Sequence, residues 1–157
     1  MITPALCETL QRDLARAGLG PGLPGREDLN RLPAMTGAYA LILKLGQEVH
    51  VARPRTAAGA LPPGWYVYAG SARGPGGIAA RLARHFRPEK RIHWHIDQLT
   101  GAAGARIWAC PAPDLHECDL VTKLSRLRSF QTACAGFGSS DCKQCEGHLL
   151  AWRAQTP

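Results

Sequence analysis

Hydrophobic positions along the chain change their period several times, and each change marks an element. Leu6, Leu10 and Leu14 recur every four residues, which predicts an amphipathic helix over residues 3–17. Thr3 caps it, Pro4 sits in its first turn and Gly18 stops it. The connector GLGPGLPGRED follows, so residues 1–33 read as an appendage on the main domain. GAYALILKL (37–45) is a strand, and Gly46–Gln47 predicts a turn into EVHVA (48–52), a hairpin. After a basic, proline-bearing loop (53–64), WYVYAG (65–70) alternates with period two. Trp65 and Val67 then share one face, Tyr66 and Tyr68 the other. GGIAARLARHF (76–86) predicts a helix with Ile78, Leu82 and Phe86 inward and with Arg81 and His85, four apart, on one face. HWHIDQLTGAA (93–103) predicts another helix, ARIWAC (105–110) a strand and HECDLVTKLSRL (116–127) a helix. The tail, 134–152, is rich in glycine and cysteine before a short apolar end. The expected fold class is α+β, with a small, mainly antiparallel, three-stranded sheet flanked by helices.

Composition sharpens this picture in one respect. A chain of 157 residues fits one domain, and no run of 18 apolar residues predicts a membrane span. The first residues lack the basic-then-apolar order of a secretory signal, so a cytoplasmic location is expected. Nineteen Lys+Arg stand against twelve Asp+Glu, and fifteen of the nineteen are arginine. The planar guanidinium fork suits phosphate, so the charge favours a nucleic-acid partner. A compositional bias that replaces lysine by arginine gives the same count with no such partner.

The glycines of YAGSARGPGGIAARLARH invite a phosphate-cradle reading, but its chemistry is missing. No lysine follows them as in G-x-x-x-x-G-K-[ST], and GSARGPGG does not fit the G-x-G-x-x-G turn of a βαβ unit. The order of short motifs is more telling: Gly37-Ala38-Tyr39 opens one strand, Tyr68-Ala69-Gly70 closes another, and Arg81-x-x-x-His85 follows on a helix. Together with HWHIDQL, Glu117 of HEC, and GFGSSDC, this resembles the GIY-YIG nuclease superfamily. Within it the chain is similar to the DUF123-like branch of unknown function, sometimes fused to endonuclease III-type glycosylases. The resemblance spans residues 34–152 and leaves 153–157 as a tail; alanine replaces the middle apolar residue of both tripeptides.

The resemblance implies a metal-dependent DNA endonuclease with a base-excision repair glycosylase as a partner; the small size points to structure- or damage-directed action in repair or targeting by a partner, and a monomer is expected. It assigns Tyr39, Tyr68, Arg81, His85 and Glu117 to catalysis. Glu117 would hold one Mg²⁺ or Mn²⁺, Arg81 would grip the scissile phosphate, and the tyrosines would flank the attacking water. His85 would orient a tyrosine or carry a proton. Arg73, Arg84, Arg87, Lys90, His93 and His95 are candidate DNA contacts. His93 and Asp97, four apart, can instead pair with each other.

Cys142-x-x-Cys145-x-x-His148 has the spacing of a tetrahedral zinc site, with Cys118 or Cys134 as the fourth ligand. The competing expectation is a tail packed on the sheet with buried thiols. Two further functional readings compete with the nuclease. One is a nucleic-acid-binding module without turnover; the other is a zinc-stabilised protein that binds a repair factor.

Overall fold

The computed structural model describes residues 6–52, 59–138 and 142–155. Its main sheet is built from β1 (Gly37–Leu45), β4 (Gly64–Ala72), β5 (Arg106–Ala112), β6 (Phe130–Thr132) and β7 (Leu149–Trp152). The order is β5-β1-β4-β7-β6, and every pairing is antiparallel. Two short strands, β2 (Val49–Val51) and β3 (Gly59–Leu61), form a separate ribbon. Thr3, Pro4 and the start of the basic loop lie outside the described residues.

The fold is α+β as the pattern predicts, with corrections to the sheet. The hairpin joining residues 37–45 to 48–52 is not formed: β1 pairs with β4 and β5 instead. Strand β1 is apolar on both faces, so its stable place is the middle of a sheet with helices on either side. Glu48 and His50 are polar and solvated, and the short β2 leaves the sheet for β3. Two strands the periodicity did not reveal, β6 ahead of the tail and β7 at its end, make the sheet five-stranded.

The alternation along β1 sorts the core into two layers. Ala38, Ala40 and Ile42 face α1 (Glu8–Arg16) and α5 (Glu117–Ser125), and Val67, Trp108 and Leu150 join them. Tyr39, Leu41 and Leu43 face α3 (Gly77–His85) and α4 (Asp97–Thr100), with Tyr66 and Tyr68 beside them. Trp65 and Val67 therefore part from the tyrosines as predicted. Ile78 and Leu82 are buried and Phe86 is half-buried. A one-turn helix, α2 (Arg26–Leu29), lies in the connector, and Leu23 bridges to Ala109 on the β5 edge. The predicted helix over 93–103 shrinks to α4 because Asp97 binds the backbone amides of His93 and Trp94 and turns the chain there. Among the described residues no helix is long and apolar enough to cross a membrane.

Helix α1 is sealed into the core through Leu10 and Leu14, each contributing about 1.5–3 kcal/mol by burial. A carboxylate locks it there. Asp13 Oδ2 accepts from Ser129 Oγ at 2.7 Å and from Trp152 Nε1 at 2.9 Å. Asp13→Ala leaves both donors without their acceptor and is expected to cost about 2 kcal/mol. Urea titration should show a lower midpoint at unchanged slope; a midpoint equal to wild type would remove Asp13 from the account of how α1 is held.

Candidate functional site

The antiparallel register sets Tyr39 of β1 opposite Gly70 of β4. The phenol lies across Gly70 so closely that a Cβ there would overlap the ring. Tyr68 is two residues earlier on β4 and points to the same face of the sheet. Helix α3 is carried over these tyrosines by a tight turn. Gly77 has φ +60° and the Met35 carbonyl packed where a side chain would begin, so only glycine fits. The glycines are thus the turn that brings β4 and α3 together.

On α3, Arg81 and His85 face one cleft of about 610 Å³, lined also by Tyr39, Tyr68, Trp94 and Glu117. Tyr39 and His85 are each 1% exposed, and their Oη and Nε2 atoms are 2.7 Å apart. Glu117 opens α5 behind its cap, His116, whose Nδ1 accepts from the Cys118 amide at 3.2 Å. The carboxylate is therefore at the start of a helix, beside the cleft and partly exposed.

Burial controls the protonation of this group. It pushes the Tyr39 phenol up, with the neighbouring Tyr68 adding to the effect and Arg81 opposing it. Burial also pushes Tyr68 up, and the charge of Glu117 acts in the same direction. His85 is held down to about 3, chiefly by burial, with Asp97 opposing and the nearby cations reinforcing. Near neutrality both phenols keep their protons and His85 is neutral. A neutral Nε2 can accept from Tyr39, which puts the ring proton on Nδ1, an atom without a partner among the described residues.

The depressed His85 value has a consequence for stability. Its contribution is fully present above the unfolded value, about 6.5, and is lost progressively as pH falls toward about 3. At pH 5 the loss is up to about 2 kcal/mol. Denaturation of wild type and His85→Gln at pH 7 and 5 should show the larger acid loss in wild type; equal losses would contradict a buried neutral imidazole.

A second layer holds Arg81 and Arg84 around Trp94. Both guanidinium carbons lie 4.2 Å from the indole centroid. Arg84 also forks onto Asp97, with bonds of 2.8 and 2.9 Å, and donates to the Arg91 carbonyl. Asp97 takes the backbone amides of His93 and Trp94 as well, rather than the His93 ring. Its carboxyl is fully buried, and burial alone would raise its pKa. Arg84 and the two amides outweigh that and hold it down to about 2.

The cysteines make a third group. Sulfurs of Cys118, Cys142 and Cys145 and a ring nitrogen of His148 all lie within 4.8 Å of one another. This Cys₃His cluster can hold a metal ion. Cys118 comes from the first turn of α5, and His148 precedes β7. Cys134, the other candidate ligand, is buried in the sheet core and lies outside the cluster. The expectation of buried tail thiols holds for Cys134 and is corrected for Cys142 and Cys145, which are half-buried. Burial raises the Cys142 thiol, but the amides of Gln144 and Cys145 outweigh it and hold the value down to about 6.

The structure thus brings Tyr39, Tyr68, Arg81, His85 and Glu117 to one cleft. The candidate DNA contacts scatter around it. Arg73, Arg87 and His93 are exposed. Lys90 reaches the carbonyls of His85 and Arg87 at the end of α3. His95 Nδ1 accepts from the Gly138 amide. Sequence reasoning missed the roles of Trp94, Asp97 and His116. The Arg84–Asp97 pair spans thirteen positions, and no local pattern announces it.

A family model described as Domain of unknown function DUF123 matches residues 38–157. No curated protein and no solved structure matches the chain.

Proposed function

Since the chain belongs to the DUF123 family, whose description leaves its activity open, we propose that it is a metal-dependent endonuclease of the GIY-YIG kind that hydrolyses phosphodiester bonds in DNA. The observation that carries this reading is the convergence of two tyrosines, Arg81, His85 and Glu117 on one cleft of a chain with net charge +7. The reading extends to structure- or damage-directed repair, with a base-excision repair glycosylase as the partner.

The residues divide the labour as follows. The Arg81 fork binds the scissile phosphate and neutralises charge as it develops. Arg84 and Asp97 hold Trp94 against it, so the guanidinium is oriented before substrate arrives. The Tyr39 hydroxyl, fixed by its bond to the neutral His85 Nε2, presents its oxygen to the attacking water. Tyr68, on the same face, orients that water. Glu117 suits a hard cation: it is a partly exposed carboxylate in a cleft with room for the waters such an ion retains. When bound there, Mg²⁺ or Mn²⁺ supplies charge neutralisation and a polarised water. Arg73 and Arg87, both exposed, extend the contact to flanking phosphates.

The test is a panel of labelled nicked, branched, abasic and deaminated duplexes incubated with Mn²⁺. Cleavage that Glu117→Ala abolishes supports the reading. Salt-dependent binding without cleavage would move it to a binding module without turnover.

A further inference from the structure

We propose that Cys118, Cys142, Cys145 and His148 bind one structural Zn²⁺, and that this ion ties the first turn of α5, and with it Glu117, to the tail. The donor set points to the metal. Three sulfurs and one imidazole suit tetrahedral zinc, and none of the four is the water-like oxygen that Mg²⁺ prefers. The spacing fits as well. A Zn–S bond of about 2.3 Å places sulfurs about 3.8 Å apart in a tetrahedron. The Cys118 and Cys142 sulfurs are 3.5 Å apart, and all four donors fall within 4.8 Å of one another.

The second observation is His148. Its ring is only 2% exposed, yet neither nitrogen has a hydrogen-bond partner among the described residues. Burying both nitrogens unpaired is costly, and a metal on one of them removes most of that cost. Nδ1 lies 4.0 Å from Glu117 Oε2. With the ion on the other nitrogen, an Nδ1–H would face the carboxylate. At 4.0 Å this is a charge contact, longer than the hydrogen bond of a carboxylate–histidine–metal triad. Glu117 is coupled to the site by its backbone, through the adjacent ligand Cys118, and its charge faces the site across His148. Full coordination by protein leaves no open position, so the role is structural rather than catalytic.

This inference does not depend on the nuclease reading, and its test reads metal rather than cleavage. Wild-type chain purified with zinc in the medium should carry one zinc per chain. Reconstituted with Co²⁺, it should show the visible bands of a tetrahedral ion and near-ultraviolet thiolate-to-metal charge transfer. Cys145→Ser should lose most of the zinc. Because losing a ligand can also impair folding, the Co²⁺ spectrum of wild type stands as an independent reading. Glu117→Gln should keep the site but weaken zinc about threefold in a chelator competition, through loss of the charge facing His148. Substoichiometric zinc together with no thiolate band, or a Cys118–Cys142 disulfide in the purified chain, would overturn the site. Unchanged zinc affinity in Glu117→Gln would overturn the coupling through His148.

Discussion

On the proposed nuclease reading, replacing Arg81 by alanine is expected to lower the rate of DNA cleavage about 10²–10³-fold, the range seen when one preorganised donor to developing charge is removed. The guanidinium lines the cleft beside Tyr39 and stacks on Trp94. Arg81→Lys keeps the charge but loses the planar fork and the stack, so it should recover only part of the rate. Folding should survive both changes, because Arg84 still packs on Trp94 and still binds Asp97. Thermal melts of the variants should therefore stay within a few degrees of wild type while cleavage falls. Tyr39→Phe and His85→Gln should each cost about 10²-fold, because each removes the bond that fixes the Tyr39 hydroxyl at the attacking water. Their combination should be little worse than either alone, because the two act as a unit. An Arg81→Ala chain that cuts within threefold of wild type would sink the assignment of the cleft.

Asp97→Ala is expected to be the most destabilising single change at the cleft, at about 3–5 kcal/mol. The variant strips Arg84 of a two-pronged partner and leaves the His93 and Trp94 amides unpaired. Each loss alone is worth about 1–3 kcal/mol, and the loop they hold carries Trp94 toward the arginines. Asp97→Asn keeps the shape and part of the bonding, so it should fall between. The pH dependence has a definite sign. A carboxyl depressed to about 2 stabilises the fold fully above its unfolded value, near 3.9, and loses that stability as pH falls toward 2. Asp97→Ala should lack this acid step while keeping the one from His85 at higher pH. Chemical denaturation across pH 2–7 separates them; an acid limb unchanged in Asp97→Ala would show that the carboxylate is not held by Arg84.

Most helices were legible because each is a local periodic signal. Leu10 and Leu14 on α1, and Ile78 and Leu82 on α3, recur at helical spacing and are buried where that spacing puts them. Strand faces were legible for the same reason, as Tyr66 and Tyr68 against Trp65 and Val67 demonstrate. Strand partners were not. Pairing is decided by which neighbours cover an apolar strand, and β1 met β4 and β5, some twenty to seventy residues away, rather than adjacent β2. Strands β6 and β7 escaped because FQT and LLAW are too short to display a period.

The sequence by itself determined the chemical inventory: the tyrosines on strands, the arginine and histidine four apart on one helix, the thiols and imidazole at metal-ligand spacing, and the surplus of arginine. It also determined that Gly70 and Gly77 interrupt a strand-to-helix passage. Only the tertiary structure decided that Tyr39 meets His85, that Arg84 serves Asp97, and that Cys118 rather than Cys134 joins the tail ligands. Each of these depends on contacts between residues far apart in the chain. Their geometry follows from how helices cover a sheet, and neither composition nor periodicity encodes that distance.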